Sequence, residues 1–350
     1  MMPSHHPVDA QILALPETAA SALYGMFDVL RTTGCGWREI SGSERGPDRI
    51  HPRIVAPTRE PFRCGYGILI EPDLAIGADN VPEVLVIPDF WLAPTDALTD
   101  RYTALKAWIV NCWAQGTAIY SACSGSVLLA ASGLLDGRPA TSHWAYADLF
   151  RDQFPKVSFD PKPNLCFSDP SGRLVTGGGA TTWHDLALHI IARHVSPGES
   201  LMTAKFFLMK WHAEGQLPYA NQVCQRPHAD SAVRRAEDWL AVHFADPDPV
   251  AGVVAAVGLA ERTLKRRFSQ ATGVTLIAYA QSLRVEAAKL ALETTSKPVE
   301  EIAAAVGYEN VAFFRRLFKR STGLGPTDYR RLYEPLRALQ TGPSGAVAAR

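Results

Sequence analysis

Cysteine is scarce in this 350-residue chain: it occurs six times, at Cys35, Cys64, Cys112, Cys123, Cys166 and Cys224, with no CxxC pair and no zinc-like spacing. That scatter argues against a thiolate metal site or a dense disulfide framework and suits reduced thiols in a cytoplasm. Long hydrophobic runs are missing too. Nowhere do eighteen apolar residues follow one another, and the opening "MMPSHHPVDAQILALPE" lacks a basic region followed by a long apolar stretch. The sequence therefore predicts an unexported, cytoplasmic protein without a membrane partner. Net charge is also absent, because 35 Lys and Arg face 35 Asp and Glu. The balance is uneven along the chain: residues 1–229 hold 18 basic and 22 acidic side chains, whereas residues 230–337 hold 16 and 13. The basic surplus thus sits toward the C-terminus, where a polyanion would be met. A chain of this length predicts two domains, each with its own core.

From residue 11 to about 195, short apolar runs alternate with helical patterns. "ILAL" (12–15), "VLVIP" (84–88), "TAIYS" (117–121) and "RLVTGG" (173–178) have strand length. "TDALTDRYTALKAWIVNCWAQG" (95–116) and "TTWHDLALHIIARHV" (181–195) instead repeat apolar residues every three or four positions. This alternation predicts an α/β fold, a flavodoxin-like parallel sheet with helices on both faces. "ESLMTAKFFLMKW" continues as helix, and the Gly-, Pro-, Gln- and Asn-rich "GQLPYANQVCQRPHAD" (215–230) reads as a linker. Everything from about Ala232 to Tyr333 reads as helix. The expected division is an α/β domain over 8–213, a linker over 214–231, an all-α domain over 232–335 and a disordered tail over 336–350.

The all-α part contains an internal repeat, "VAGVVAAVGLAERTLKRRFSQATG" (250–273) and "VEEIAAAVGYENVAFFRRLFKRSTG" (299–323). Val250, Val253, Val254 and Val257 fall at i, i+3, i+4 and i+7, as do Val299, Ile302, Ala303 and Val306. Each copy is a short helix with one apolar stripe, a glycine turn at Gly258 or Gly307, and a second helix ending in Phe-x-x-x-Thr-Gly. That pattern is a helix-turn-helix, twice. In the second helices Leu264 and Phe268, and Phe314, Leu317 and Phe318, point inward. Arg262, Lys265 and Arg266, and Ala312, Arg315, Arg316, Lys319 and Arg320, are left facing outward, where they suit base edges or phosphates of double-stranded DNA.

Residues 232–335 resemble the AraC/XylS family of transcription regulators, whose DNA-binding domain joins two helix-turn-helix units by a helix. Here the joining helix is "LIAYAQSLRVEAAKLALETT" (276–295), with its Arg284, and the family's closing Gly-x-x-Pro-x-x-Tyr-Arg pattern is "GLGPTDYRR" (323–331). The resemblance implies that Arg262, Lys265, Arg266, Ala312, Arg315 and Arg316 face bases and that Lys319 and Arg320 contact phosphate. It also implies an activator more often than a repressor.

In the α/β part, "YSACSGSVLLAASGLLDGRPATSHW" (120–144) turns a strand straight into a helix at Cys123. A thiol on such a turn stands above the sheet's carboxyl edge, close to helix N–H groups, which predicts a lowered thiol pKa and a ligand site. Ser124, His143 and Trp144 fall within reach of the same pocket. Cys123 is open to three readings: a ligand contact without turnover, an inert buried residue, or a nucleophile. The first is adopted. Trp183 is a candidate wall of the pocket or a core residue. Asp185 and His189, at i and i+4, are expected to form a local side-chain pair, and no metal or cofactor is expected.

This region, roughly 10–195, resembles the PfpI-type, class I glutamine amidotransferase-like superfamily through the elbow cysteine, "LLAASGLLDGRPATSHW" and "TGGGATTWHDLALHII" (176–191). Joined to an AraC-type domain, it has the layout of the GlxA-like transcription regulators. Enzymes of the superfamily place a carboxylate beside the cysteine. Aligning "YGMFDVLR" (24–31) puts that position on Ala22, with Glu17 as a substitute under a shifted alignment and Asp28 in a packing or capping role. The resemblance implies a non-enzymatic regulator that senses a small nitrogenous effector and forms a homodimer through the α/β domain. The alternative is a bifunctional regulator in which the Cys123 domain retains hydrolase or hydratase activity.

Overall fold

The computed structural model describes residues 6–44, 46–221, 223 and 226–340. The chain divides into two units, Met1–Gln216 and Leu217–Arg350. Cys224 and residues 341–350, most of the expected tail, lie outside the described residues.

Apolar runs make the sheet of the first unit. Its strands are β1 (Val8–Leu13), β2 (Ile50–Ala56), β3 (Phe62–Cys64), β4 (Ile68–Ile70), β5 (Leu74–Ala75), β6 (Val84–Ile87), β7 (Ala118–Ser121), β8 (Pro139–Ala140), β9 (Ser158–Phe159), β10 (Leu165–Phe167) and β11 (Leu174–Gly177). Seven of them form one sheet in the order β10-β11-β7-β6-β1-β2-β5, parallel except for the antiparallel edge β10–β11. The central strands β6, β7 and β11 are buried at every residue, as expected of parallel strands covered on both faces. Side-chain alternation sorts them: Leu85, Ile87 and Ile119 face one core, and Val84, Val86 and Tyr120 face the other. The helices are α1 (Ala20–Arg31), α2 (Gly36–Ile40), α3 (Thr103–Ala114), α4 (Gly125–Ala131), α5 (Ala147–Gln153), α6 (Trp183–His194) and α7 (Pro197–Phe207). Residues of α1 and α6 fill one core, and residues of α3, α4 and α5 the other. This is the doubly covered α/β fold that the alternating pattern predicts.

The helix expected over 95–116 is shorter than its apolar spacing suggests. Leu98 (φ 53°) and Tyr102 (φ 60°) adopt left-handed backbone, so α3 begins only at Thr103. The preceding loop is held by Glu17, which accepts hydrogen bonds from Arg101 (2.6 Å) and the Tyr102 hydroxyl (2.6 Å). A distant carboxylate thereby overrides local helical periodicity.

The second unit is helical: α8 (Ser231–His243), α9 (Pro249–Val257), α10 (Glu261–Thr272), α11 (Leu276–Thr294), α12 (Val299–Ala305), α13 (Val311–Thr322) and α14 (Pro326–Gln340). Asp248 caps α9 by accepting from the Ala251 N–H (3.0 Å), and Asn310 caps α13 by accepting from the Phe313 N–H (2.9 Å). Val253, Val257, Leu264 and Phe268 pack with α8 and the start of α11, whereas Ile302, Ala303, Phe314, Leu317 and Phe318 pack with the end of α11 and Tyr329. Each helix-turn-helix therefore has its own small core, and α11 belongs to both.

Arg284 of α11 locks the two halves together. Its buried guanidinium donates to three backbone carbonyls, those of Phe244 (2.6 Å), Asp246 (2.7 Å) and Gly307 (3.0 Å), and lies over the Tyr308 ring at 4.8 Å. Gly307, with φ 85°, passes so close that a Cβ would stand 2.4 Å from the Ala245 carbonyl oxygen. Removing the guanidinium leaves these carbonyls without donors. Arg284→Met is expected to destabilise the helical unit by about 2–3 kcal/mol. Urea denaturation followed by circular dichroism checks this, and a loss under about 0.5 kcal/mol contradicts the role.

Candidate functional site

The carboxyl edge of the sheet brings together the ends of β6, β7 and β11, and Cys123 stands among them. The Ala122 N–H donates to the Ile87 carbonyl (2.9 Å) and the Cys123 N–H to the Gly177 carbonyl (3.0 Å), which carries the chain one step past each neighbouring strand. It then reverses into α4 with Cys123 at φ 50°, a left-handed conformation that a non-glycine residue adopts only under constraint. The reversal needs a glycine close behind: a Cβ on Gly125 would stand 2.6 Å from the carbonyl oxygens of both Ile87 and Pro88. The Ser126 and Ser142 hydroxyls both donate to the Cys123 carbonyl at 2.8 Å.

The thiol is buried at 4% exposure. Burial, and then the Asp89 carboxylate beside it, push its pKa well up, outweighing the hydrogen bonds from Ser124 that act in the opposite direction. This corrects the expectation of a lowered thiol pKa: the helix N–H groups are present, but loss of water and a neighbouring negative charge win. Asp89, two residues past the end of β6, puts a carboxylate beside the thiol, whereas position 22 carries none. Ala22 is buried in the apolar core on α1, Asp28 is exposed on the same helix, and Glu17 is committed to Arg101 and Tyr102.

Ser124 is fully buried. Its Oγ lies 2.7 Å from Asp89 Oδ1 and from the Phe90 carbonyl, and accepts from the Phe90 N–H at 2.7 Å. Its hydroxyl is thus directed into the strand-end network. His143 and Trp144 are half-buried, with ring centroids 5.0 Å apart. His143 Nδ1 accepts the Ala145 N–H at 3.1 Å, so the neutral ring carries its proton on Nε2 and offers a donor. Burial lowers the His143 pKa, with Asp89 opposing. Tyr146 completes the group: Cys123 and Asp89 both act on its phenol, whose pKa is raised chiefly by burial, and its hydroxyl donates to the Leu92 carbonyl (3.0 Å).

The expected Asp185–His189 pair is corrected. Fully buried Asp185 accepts from the His212 N–H (3.2 Å) and meets His212 Nδ1 at 3.1 Å, whereas His189 packs its ring against Tyr120 and Phe167. Trp183 sits over Gly25 of α1, where a Cβ would stand 2.5 Å from its ring, and so packs against the core. Among the described residues no cluster of three His, Cys, Asp or Glu side chains could hold a metal, and no helix is long and apolar enough to cross a membrane.

In the helical unit, Arg262, Lys265 and Arg266 of α10 and Ala312, Arg315, Arg316, Lys319 and Arg320 of α13 are all exposed. Lys265 pairs with Glu261 one turn away, and Arg315 with Glu300 (2.8 Å). Arg267 instead grips the Asp230 cap of α8 through two hydrogen bonds of 2.8 and 2.6 Å, holding that carboxyl down to about 2. Exposed Phe313 adds an apolar element to the α13 face beside Ala312. Its place in the "FF" pair hides it, since only the following phenylalanine keeps the inward spacing.

Residues 18–193 match the DJ-1/PfpI family and residues 253–332 a helix-turn-helix domain. The chain belongs to the DJ-1/PfpI family and carries an AraC-type helix-turn-helix domain behind it. Over 287 residues it is 26% identical to the HTH-type transcriptional regulator CdhR of Pseudomonas aeruginosa, covering 81% of this chain and 84% of that protein. It is 26% identical over 209 residues to the HTH-type transcriptional regulator GlxA of Rhizobium meliloti, covering 59% of this chain and 63% of that protein. The isonitrile hydratase of Pseudomonas putida is 44% identical over 176 residues, covering 50% of this chain and 67% of that protein.

A raised thiol pKa makes Cys123 slow to alkylate at neutral pH. Its iodoacetamide reactivity, followed by mass spectrometry, is expected to reach half-maximum above the value for a free cysteine, about pH 8.5. Asp89→Asn should move that midpoint down. A wild-type midpoint below neutrality contradicts the assignment.

Proposed function

We propose that this chain is a sequence-specific DNA-binding transcription regulator, working in the cytoplasm and acting as an activator, whose α/β unit binds a small nitrogenous effector and mediates dimerisation. The observation that carries the reading is the repeated helix-turn-helix: α10 and α13 each bury one apolar stripe and turn a basic stripe outward. Arg262, Lys265, Arg266, Ala312, Arg315 and Arg316 are the base readers, and Lys319 and Arg320 the phosphate contacts. The architecture of the HTH-type regulators it resembles supports the same reading.

The effector site is the carboxyl edge around Cys123, with His143 and Trp144 at its rim and Ser124 setting the turn beneath it. Non-catalytic sensing is favoured by the chemistry: the thiol is held protonated, and the His143 lone pair is occupied by the Ala145 N–H. The second reading, a retained hydratase activity, is favoured by the 44% identity to an isonitrile hydratase and by the carboxylate of Asp89 beside the cysteine. Incubation with an isonitrile separates the two. The sensor reading expects no N-substituted formamide above the Cys123→Ala background, and catalytic accumulation of that product contradicts it.

Dimerisation is supported by an exposed apolar patch on the first unit. Tyr24 of α1, Tyr66, Ile68 and Leu69 of the β3–β4 hairpin, and Trp91 are all exposed. Tyr66 packs edge-on against Trp91 with centroids 5.2 Å apart, and the Tyr24 hydroxyl donates to the Leu69 carbonyl at 3.3 Å. Patches of this kind mark interaction surfaces. Light scattering is expected to give a dimer that Leu69→Glu converts to monomer, and a wild-type monomer at micromolar concentration contradicts the assignment.

On a specific duplex, affinity should fall steeply as salt rises. Arg316→Ala should cost about 1–3 kcal/mol on the matched sequence. Fluorescence anisotropy measures both, and a flat salt response or an unchanged binding curve contradicts the DNA-reading assignment.

A further inference from the structure

The segment after α1, together with α2 and α7, encloses a cavity of about 250 Å³ in the first unit. Pockets for drug-sized molecules run from roughly 300 to 1,000 Å³, so this one suits a smaller metabolite. It has no lining residue in common with the Cys123 edge. Local sequence opens it and arms it. Gly36 leaves space in α2, where a Cβ would stand 3.4 Å from the Phe206 ring. Ser196 caps α7 by accepting the Glu199 N–H at 3.2 Å, which plants the Glu199 carboxylate in the first turn of that helix.

Trp37, Met202 and Phe206 give the cavity an apolar, largely aromatic wall, and among the described residues Arg38 and Glu199 are the charged side chains that line it. Arg38 donates to the Gly34 carbonyl (3.2 Å) and to Glu199 Oε1 (3.1 Å). A guanidinium carries five N–H donors, so others remain to be used. Glu199 Oε2 accepts no hydrogen bond among the described residues. Thr203 also lines the cavity, at 5% exposure. Its hydroxyl makes no hydrogen bond among the described residues, and its oxygen is not one of the polar atoms sealed from solvent. An unpaired hydroxyl on so buried a residue points to a partner held in the space beside it.

Charge sorts the ligands. A molecule that is only a cation meets Arg38, and also Lys205, whose ammonium stands over the Trp37 ring at 6.0 Å. One that is only an anion meets Glu199. A zwitterion pairs with both. Because the guanidinium and the carboxylate adjoin at 3.1 Å, they match opposite charges borne on one carbon rather than at the two ends of a chain. We propose that this cavity binds an α-amino acid with an apolar side chain. Its carboxylate accepts from Arg38, its ammonium donates to Glu199 Oε2, and its side chain lies against Trp37, Met202 and Phe206. The site is a second one, and its failure leaves the reading of the Cys123 edge untouched.

Hydrogen–deuterium exchange of the 350-residue chain tests this with L-leucine as the probe. Isocaproate lacks the ammonium, isoamylamine lacks the carboxylate, and ε-aminocaproate is an isomer of leucine with its charges at opposite ends. Leucine is expected to slow exchange across residues 32–38 and 196–206 in a dose-dependent manner, while the three analogues at the same concentrations do not. Glu199→Gln should need at least about tenfold more leucine for the same protection. Absence of protection by leucine, or equal protection by any of the three analogues, overturns the proposal. That comparison uses wild-type protein alone and stands even where the variant folds poorly. Protection by leucine at the Cys123 elbow without any at 32–38 and 196–206 also overturns it, and leaves the effector reading intact.

Discussion

Burial of the Cys123 thiol beside the Asp89 carboxylate constrains what the α/β unit can do. The elbow itself is stabilised by backbone hydrogen bonds to β6 and β11 and by the space left at Gly125. These force a side chain into the strand-end network whether or not it reacts. With water excluded and a carboxylate at hand, ionising the thiol is costly, and the surrounding N–H groups do not offset that cost. The elbow thus holds a thiol of raised pKa beside the Asp89 carboxylate, with the His143 imidazole, its pKa lowered by burial, nearby.

The helical unit depends on a different polar contact. Two small cores share α11, and Arg284 ties the turn after α8 to the turn between α12 and α13. That latch fixes one helix-turn-helix relative to the other within the unit. The basic faces of α10 and α13 can then meet DNA as a pair, with Glu261 holding Lys265 and Glu300 holding Arg315.

Much of this was legible in the sequence because its causes are local. The repeated spacing of Val253, Val257, Ile302 and Val306, and the glycines after each stripe, depend only on helical geometry, so both helix-turn-helix units could be read directly. The elbow was legible for the same reason. The raised thiol pKa was not, because it depends first on burial by the tertiary fold and then on Asp89, 34 positions earlier in the chain. Gln216, buried at 3% exposure with its amide donating to the Ser142 and Pro163 carbonyls, was hidden in a linker-like stretch, and its inward path needs Gly178, which no periodicity connects to it. The Asp185 partner was misread because i, i+4 spacing gives proximity along one helix and carries no information about a segment, here His212, that packs across it. The start of α3 was misplaced for the same kind of reason, a tertiary grip by Glu17.

The central claim is that two linked helix-turn-helix units read DNA together. The most direct measurement is selection by the 350-residue chain from a random duplex pool, followed by sequencing of the retained fraction. The account predicts a bipartite motif whose two conserved blocks lie about one helical turn, roughly 10 base pairs, apart. A retained pool with the sequence composition of the input would contradict it.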